Sequence, residues 1–135
     1  MYWLSHHPPD ELDRCYRFGR VHVCARCLGT YPVMLAGIVA QFALRAPLTH
    51  PLDVAGSVGL LLPATLDWAY GRFFPHRFPN LWRTFTGALL GLGLARSMFI
   101  HLQRPFPAAL LAQALVVTAV GLPVIFASYR RNRRR

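Results

Sequence analysis

The sequence predicts an all-α integral membrane protein, a four-helix bundle with a short Cys/His-containing cytoplasmic head at its N terminus. Of its 135 residues, 54% are hydrophobic and only 15% are charged, which is apolar for a soluble protein of this size. All three cysteines lie within the first 27 residues. We therefore divide the chain into a head of residues 1–27, a helical domain of residues 28–129 and a basic tail of residues 130–135.

Four apolar segments supply the predicted transmembrane helices, at residues 28–45, 54–71, 81–101 and 106–129. A spanning helix needs about 20 predominantly apolar residues. The fourth segment reaches that length without a charged residue. The second segment approaches it only by tolerating Asp67, and the third by tolerating Arg83 and Arg96 near its ends.

The distribution of arginine predicts the topology. Arginines are concentrated in the head, the second connection and the tail, whereas the first and third connections hold only Arg45 and Arg104. With four spans, the arginine-rich segments all fall on one side, which the positive-inside rule identifies as cytoplasmic. We therefore predict a multi-pass protein of the inner (plasma) membrane with both termini in the cytoplasm.

The same arginines indicate which partners to expect. Basic residues just cytoplasmic of a span gain about 1 kcal/mol each near anionic lipid head groups, so the tail is predicted to contact them and the bilayer. The net charge of +10 does not indicate nucleic acid, because no nucleic-acid-binding motif accompanies the arginines. Other membrane subunits or a second copy of the chain remain open as partners.

The head carries a C-x2-C pair, Cys24 and Cys27. In the reducing cytoplasm such a pair more often binds a metal ion or acts as a redox-active dithiol than forms a structural disulfide. Two thiolates at this spacing can occupy adjacent corners of a tetrahedron around Zn²⁺. Cys15, nine residues upstream of Cys24, is the expected third ligand.

A histidine is the expected fourth ligand. We favour His7 or His6 over His22, because His22 is two residues from Cys24 and the chain would have to turn sharply to bring both to one ion. The predicted cofactor is zinc, with iron left open. Packing of these side chains at the membrane surface without metal is the alternative.

A second polar group is predicted inside the membrane. Asp67 near the end of the second span and Arg83 at the start of the third lie at similar depth in an antiparallel hairpin. An unpaired charge there costs a few kcal/mol, so we expect either a structural ion pair or a role in handling a substrate or protons. Gly87 and Gly91 share a helix face with Arg83, and their lack of side chains suits close helix packing.

Near the outer side, Asp53 and Arg96 are placed to form a second pair across the same two helices. Alternatively, Arg96 could extend its side chain to the lipid head groups.

The head also carries a family resemblance. The run H-V-C-A-R-C-L-G-T-Y at residues 22–31, preceded by Arg14 and Cys15, resembles the V-C-A-R-C-T-G-x-Y signature of the prokaryotic domain-of-unknown-function family 2085, small predicted membrane proteins. Pro63-x3-Asp67 and the run N-x2-R-x2-T-G-x3-G at residues 80–91 resemble two further blocks of that family. The chain departs from the family in having His6-His7 where a Cys-His pair is usual and Trp68 where a glycine commonly follows the aspartate. The resemblance implies a membrane fold and no established activity.

The favoured function is non-catalytic: a structural or accessory subunit of a membrane complex with a zinc-stabilised head. One alternative is a membrane thiol/quinone oxidoreductase that uses the Cys24 and Cys27 dithiol. Another is a transporter or channel component that uses Asp67 and Arg83. No Ser-His-Asp order or phosphate-binding glycine loop is present, so nothing indicates a hydrolase or an ATPase.

Overall fold

The computed structural model describes residues 9–74 and 78–133, and these residues are mostly helical. A short 3-10 helix, Pro9–Arg14, leads into strands β1 and β2, which are followed by four helices. The elements are β1 Cys15–Phe18, β2 Val21–Cys24, α1 Ala25–Ala43, α2 Asp53–Phe73, α3 Asn80–Gln103 and α4 Ala108–Arg133. His6 and His7 lie outside the described residues.

The head folds as an antiparallel hairpin. Cys15 faces Cys24 across the two strands. Gly19 opens the two-residue turn with φ of +60°, a left-handed conformation that glycine adopts without steric cost. The sequence analysis did not predict these two short strands. A glycine-containing turn followed by the β-branched residues Val21 and Val23 is the signal that favours a hairpin.

Each of the four apolar segments contains one helix. The helices are 19, 21, 24 and 26 residues long in chain order, which corresponds to about 28 to 39 Å at 1.5 Å per residue. Helix α1 begins at Ala25, ahead of the predicted start at residue 28, so Cys27 lies in its first turn. The C-x2-C pair therefore straddles the junction between hairpin and helix.

Helix α3 is the central element of the packing. Helices α1 and α2 both pack against α3, and α4 packs mainly against α2. Small residues fill much of the buried face of α3, including Gly87, Gly91 and Ala95. On α4, only Ala109 and Gln113 among the described side chains are buried. This helix is therefore peripheral.

Burial is distributed as expected for a chain surrounded by lipid. The buried positions include Thr86 and Ser97, whereas large apolar side chains such as Leu35, Leu66 and Leu115 are exposed on the outer faces of the helices. Small and polar residues at helix contacts, with apolar residues outside, are typical of membrane helices. Within the described residues, two helices are long and apolar enough to cross a membrane, α3 over its full length and α4 from residue 108 to 131.

Candidate functional site

The three cysteines meet where the hairpin joins α1. Cys15 and Cys24 are direct cross-strand partners, and both are buried. The thiol of Cys27, one helical turn further on, lies close enough to that of Cys24 to interact with it electrostatically. The fold thus brings together side chains that are up to twelve positions apart in the sequence.

Cys27 lies just ahead of the predicted first span, and its environment suppresses ionisation. Burial, followed by the neighbouring Cys24 thiol, raises the pKa of Cys27 to about 11. At neutral pH this residue is therefore a thiol. Since the thiolate is the form that binds metals and attacks electrophiles, metal binding at this position would release a proton.

His22 lies on the same strand as Cys24. Side chains two positions apart on a strand point to the same face, so His22 and Cys24 share one face with Cys15. The sharp turn that argued against His22 as a ligand is not needed, because extended backbone already aligns the two side chains.

The structure also bears on the predicted zinc ligands. Across residues 9–74 and 78–133, no group of three or more His, Cys, Asp or Glu side chains has an arrangement that could hold a metal ion. The favoured fourth ligands, His6 and His7, lie outside these residues. The three cysteines lie near one another in the fold. The zinc site stays a prediction.

The first turns of α3 hold the hairpin in place. The side-chain amide of Asn80 donates hydrogen bonds to the backbone oxygens of Asp13, at 2.9 Å, and Cys15, at 3.3 Å. The hydroxyl of Thr84, one turn later, donates to the backbone oxygen of Ala25 at 3.0 Å. Both ends of the hairpin are thereby attached to the helix that forms the centre of the fold.

Asp67 accepts a hydrogen bond from the Nη2 atom of Arg26, and the two form an ion pair. The Asp67 side chain is only 3% exposed. The predicted partner, Arg83, is also buried and lies within electrostatic range of Asp67, Arg14, Arg26 and Asp13. The sequence analysis had counted Arg26 only as part of the arginine-rich head. Arg26 lies in the first turn of α1. Its position next to the first predicted span was the feature of the sequence that could have indicated a contact with Asp67.

Gly87 and Gly91 lie against α1. A Cβ atom on Gly91 would stand 2.6 Å from the backbone oxygen of Thr30, and one on Gly87 would overlap the backbone oxygen of Arg26. From the other side, Gly29 of α1 is equally crowded by the backbone of α3. The hydroxyl of Thr30 donates to the Gly87 oxygen at 3.0 Å. The sequence analysis did not identify Gly29, although it is a small residue one turn into the first helix.

A second ionic group joins the helices at the opposite end. The Nε and Nη2 atoms of Arg96 donate to the two carboxylate oxygens of Asp53 at 2.7 and 3.0 Å. The same guanidinium donates to Gln41 on α1 and to the backbone oxygen of Pro47. Of the two alternatives for Arg96, the structure shows the pair. The hydrogen bond from Arg96 holds the pKa of Asp53, at the start of α2, below its ordinary value.

Hydrogen bonds between uncharged residues join α4 to the core. The hydroxyl of Ser97 donates to Gln113 Oε1 at 2.7 Å, and Gln113 Nε2 donates to the backbone oxygen of Ser57 at 3.1 Å. All three residues are buried. Sequence analysis did not single out Gln113, although a glutamine inside the most apolar segment is itself an indication of an interhelical contact.

Comparison with known proteins supports a family assignment. The family model described as Predicted membrane protein (DUF2085) matches residues 12–97. The match covers the hairpin, α1, α2 and most of α3, and with them both ionic groups and the three cysteines. No curated protein and no solved structure matches the chain. The resemblance inferred from the C-A-R-C signature is thus confirmed: the chain belongs to the DUF2085 family of predicted membrane proteins.

Proposed function

We propose that this protein is a small multi-pass plasma-membrane protein that acts as a structural or accessory subunit, with its head and both termini in the cytoplasm. Exposed apolar side chains on all four helices support four spans, including α1 and α2. These two helices measure about 28 and 31 Å at 1.5 Å per residue, close to the hydrocarbon thickness of about 30 Å. Burial against α3 accounts for their polar positions.

The head is proposed to bind zinc through Cys15, Cys24 and Cys27, with His7 or His6 as the fourth ligand and iron as the alternative metal. The observation that supports this proposal is that Cys15 and Cys24 are cross-strand partners, with Cys27 close to Cys24 where the hairpin joins α1. The ligands would come from the start of β1, the end of β2 and the first turn of α1, so one ion would fasten the hairpin to the first helix. Structural zinc contributes on the order of 10 kcal/mol or more to small domains at neutral pH.

Metal content tests the proposal directly. The full chain is purified from membranes, and zinc and iron are measured by mass spectrometry for the native protein and for Cys24→Ser and Cys27→Ser. We expect one zinc per chain in the native protein and its loss in both variants. His101→Ala, which alters a histidine at the far end of α3, should retain the metal. A native protein without stoichiometric zinc or iron overturns the proposal.

The oxidoreductase alternative is favoured by the proximity of the Cys24 and Cys27 thiols. In that reaction the two thiols lose two electrons and two protons to a quinone, forming a disulfide and a quinol. A metal-free protein whose two thiols titrate as a reversible disulfide would establish this function. The transport alternative requires that Asp67→Asn abolish a measured flux while the protein remains folded.

A further inference from the structure

The short turn of the hairpin determines how Cys15 and Cys24 face each other. Strand β1 ends at Phe18 and β2 begins at Val21, and these two residues are the first cross-strand partners. They form a hydrogen-bonded pair, because the other kind of pair would require the two adjacent turn residues to bond to each other. Hydrogen-bonded and non-hydrogen-bonded pairs alternate along an antiparallel ladder. Cys15 and Cys24, three steps further along, are therefore a non-hydrogen-bonded pair.

This kind of pair has the spacing that a disulfide needs. Its Cα atoms lie about 4.5 Å apart, with the side chains closer than in a hydrogen-bonded pair. Disulfides join residues whose Cα atoms are about 4.4–6.8 Å apart. The structure contains Cys15 and Cys24 as thiols, which is the reduced state of the pair. The two sulfur atoms can therefore be joined without movement of either strand.

Helix α3 fixes the end of the hairpin at which the two cysteines lie. The side-chain amide of Asn80 donates to the backbone oxygen of Cys15 at 3.3 Å. The hydroxyl of Thr84 donates to the backbone oxygen of Ala25, the neighbour of Cys24, at 3.0 Å. The separation of the two cysteines is thus set before any bond forms. A bond between them is favoured because little chain entropy is left to lose.

Burial distinguishes this pair from the C-x2-C pair. Cys24 can bond to only one neighbour at a time, either Cys15 or Cys27. Cys15 is 8% exposed and Cys24 is 3% exposed, whereas Cys27 is only half-buried. Disulfides are opened by thiols that can reach one of their sulfur atoms. A bond that includes Cys27 is therefore open to attack, and a bond between Cys15 and Cys24 is protected.

We propose that Cys15 and Cys24 form a reversible cross-strand disulfide, and that this bond is the stable oxidised state of the head. The oxidant is a low-molecular-weight disulfide. One cysteine sulfur displaces a thiol from it to give a mixed disulfide, and the second cysteine displaces the other thiol. The Cys15–Cys24 bond forms, the bond of the small disulfide breaks, and the two released thiols carry away the two protons.

The bond has a consequence for the proposed zinc site. Cys15 and Cys24 are two of its three thiols, so the disulfide and the ion exclude each other. In the cytoplasm, disulfides are mostly transient and catalytic or redox-sensing, which fits a head that changes state on oxidation. The inference stands on the geometry of the hairpin and does not depend on zinc.

Disulfide mapping tests the proposal, because trypsin places the three cysteines in separate peptides, residues 15–17, 21–26 and 27–45. The full chain is purified in detergent, treated with a zinc chelator and equilibrated with oxidised and reduced glutathione. Remaining thiols are then alkylated, and linked peptides are identified by mass spectrometry. We expect peptide 15–17 linked to peptide 21–26, with Cys27 alkylated. A main product that links Cys24 to Cys27, or no link at all, overturns the proposal.

Two variants separate geometry from simple proximity. Cys27→Ser should form the same bond at the same ratio of oxidised to reduced glutathione. Cys15→Ser combined with Tyr16→Cys moves one thiol to the opposite face of β1, and should lower the fraction linked to Cys24 at least about tenfold because the spacing no longer fits. Equal linkage from positions 15 and 16 overturns the proposal.

Zinc measured before chelation keeps the two proposals distinct. A chain that holds no metal but forms the Cys15–Cys24 bond overturns the zinc site and supports the disulfide. A chain that holds zinc and, once the metal is removed, forms no such bond overturns the disulfide alone.

Discussion

Arg26, the second of the two residues between Cys24 and Cys27, forms an ion pair with the buried carboxylate of Asp67 on α2. The motif therefore does more than position two thiols. Because Cys24 and Cys27 flank an arginine that pairs with α2, the region of the thiols is linked to α2 as well as to α3, against which α1 packs.

Asp67→Asn should destabilise the protein by about 3 kcal/mol, at the lower end for a broken buried pair because Arg26 retains some exposure. The substitution leaves Arg26 and Arg83 without their shared counter-charge. Thermal unfolding in detergent, followed by circular dichroism, measures the effect.

A double-mutant cycle identifies the partner of Asp67. Asp67→Asn combined with Arg26→Gln should be less destabilising than the sum of the two single substitutions, because contacting residues are energetically coupled. The cycle with Arg83→Gln should show weaker coupling. Stronger coupling to Arg83 than to Arg26 would contradict the observed pair.

Gly87→Ala should loosen the contact between α1 and α3. The added methyl group would overlap the backbone oxygen of Arg26, and such overpacking typically costs about 1–3 kcal/mol. The control is Gly121→Ala on α4, where a Cβ atom meets nothing within 4 Å. It should be neutral or slightly stabilising, since alanine favours helix by about 1 kcal/mol over glycine. Equal unfolding temperatures for the two variants would argue against the close contact.

The pair between Arg96 and Asp53 should make stability depend on pH in the acid range. The pKa of Asp53 is lower in the folded chain than in the unfolded one. Its contribution is therefore complete above the unfolded pKa of about 3.9 and is lost as the pH falls through the folded value.

Unfolding temperatures of the native protein and Asp53→Asn, measured between pH 7 and pH 2, test this dependence. The native protein should be more stable by about 1.5–3 kcal/mol at neutral pH, as for other hydrogen bonds to charged groups. The difference should diminish at the acid end. A difference that is constant over the whole range would exclude the ionised carboxylate as its source.

Gln113→Leu should weaken the attachment of α4. The substitution removes the hydrogen bonds that join α4 to Ser97 and Ser57, and interhelical hydrogen bonds in membranes contribute about 0.6–2 kcal/mol. Hydrogen exchange should become faster in α4 and remain unchanged in α1. The matched control is Gln103→Leu, since the side chain of Gln103 is exposed and donates to the backbone oxygen of Phe99 in its own helix.

The sequence by itself determined the local features of this protein. Four apolar segments each contain a helix, because hydrophobicity and helix propensity act over short stretches of chain. The C-A-R-C run, together with the blocks at Pro63-x3-Asp67 and residues 80–91, indicated the family that the comparison confirms. Gly87 and Gly91 stood out because helical spacing alone places them on one face.

Only the tertiary structure decided which of these features meet. Asp67 bonds to Arg26, and Gln113 reaches Ser97, because partner choice depends on the rotation and depth of whole helices, which no local pattern encodes. The head is a hairpin because pairing of Cys15 with Cys24 and hydrogen bonds from α3 complete its short strands. Four residues per strand are too few to specify that structure without the helix on which they rest.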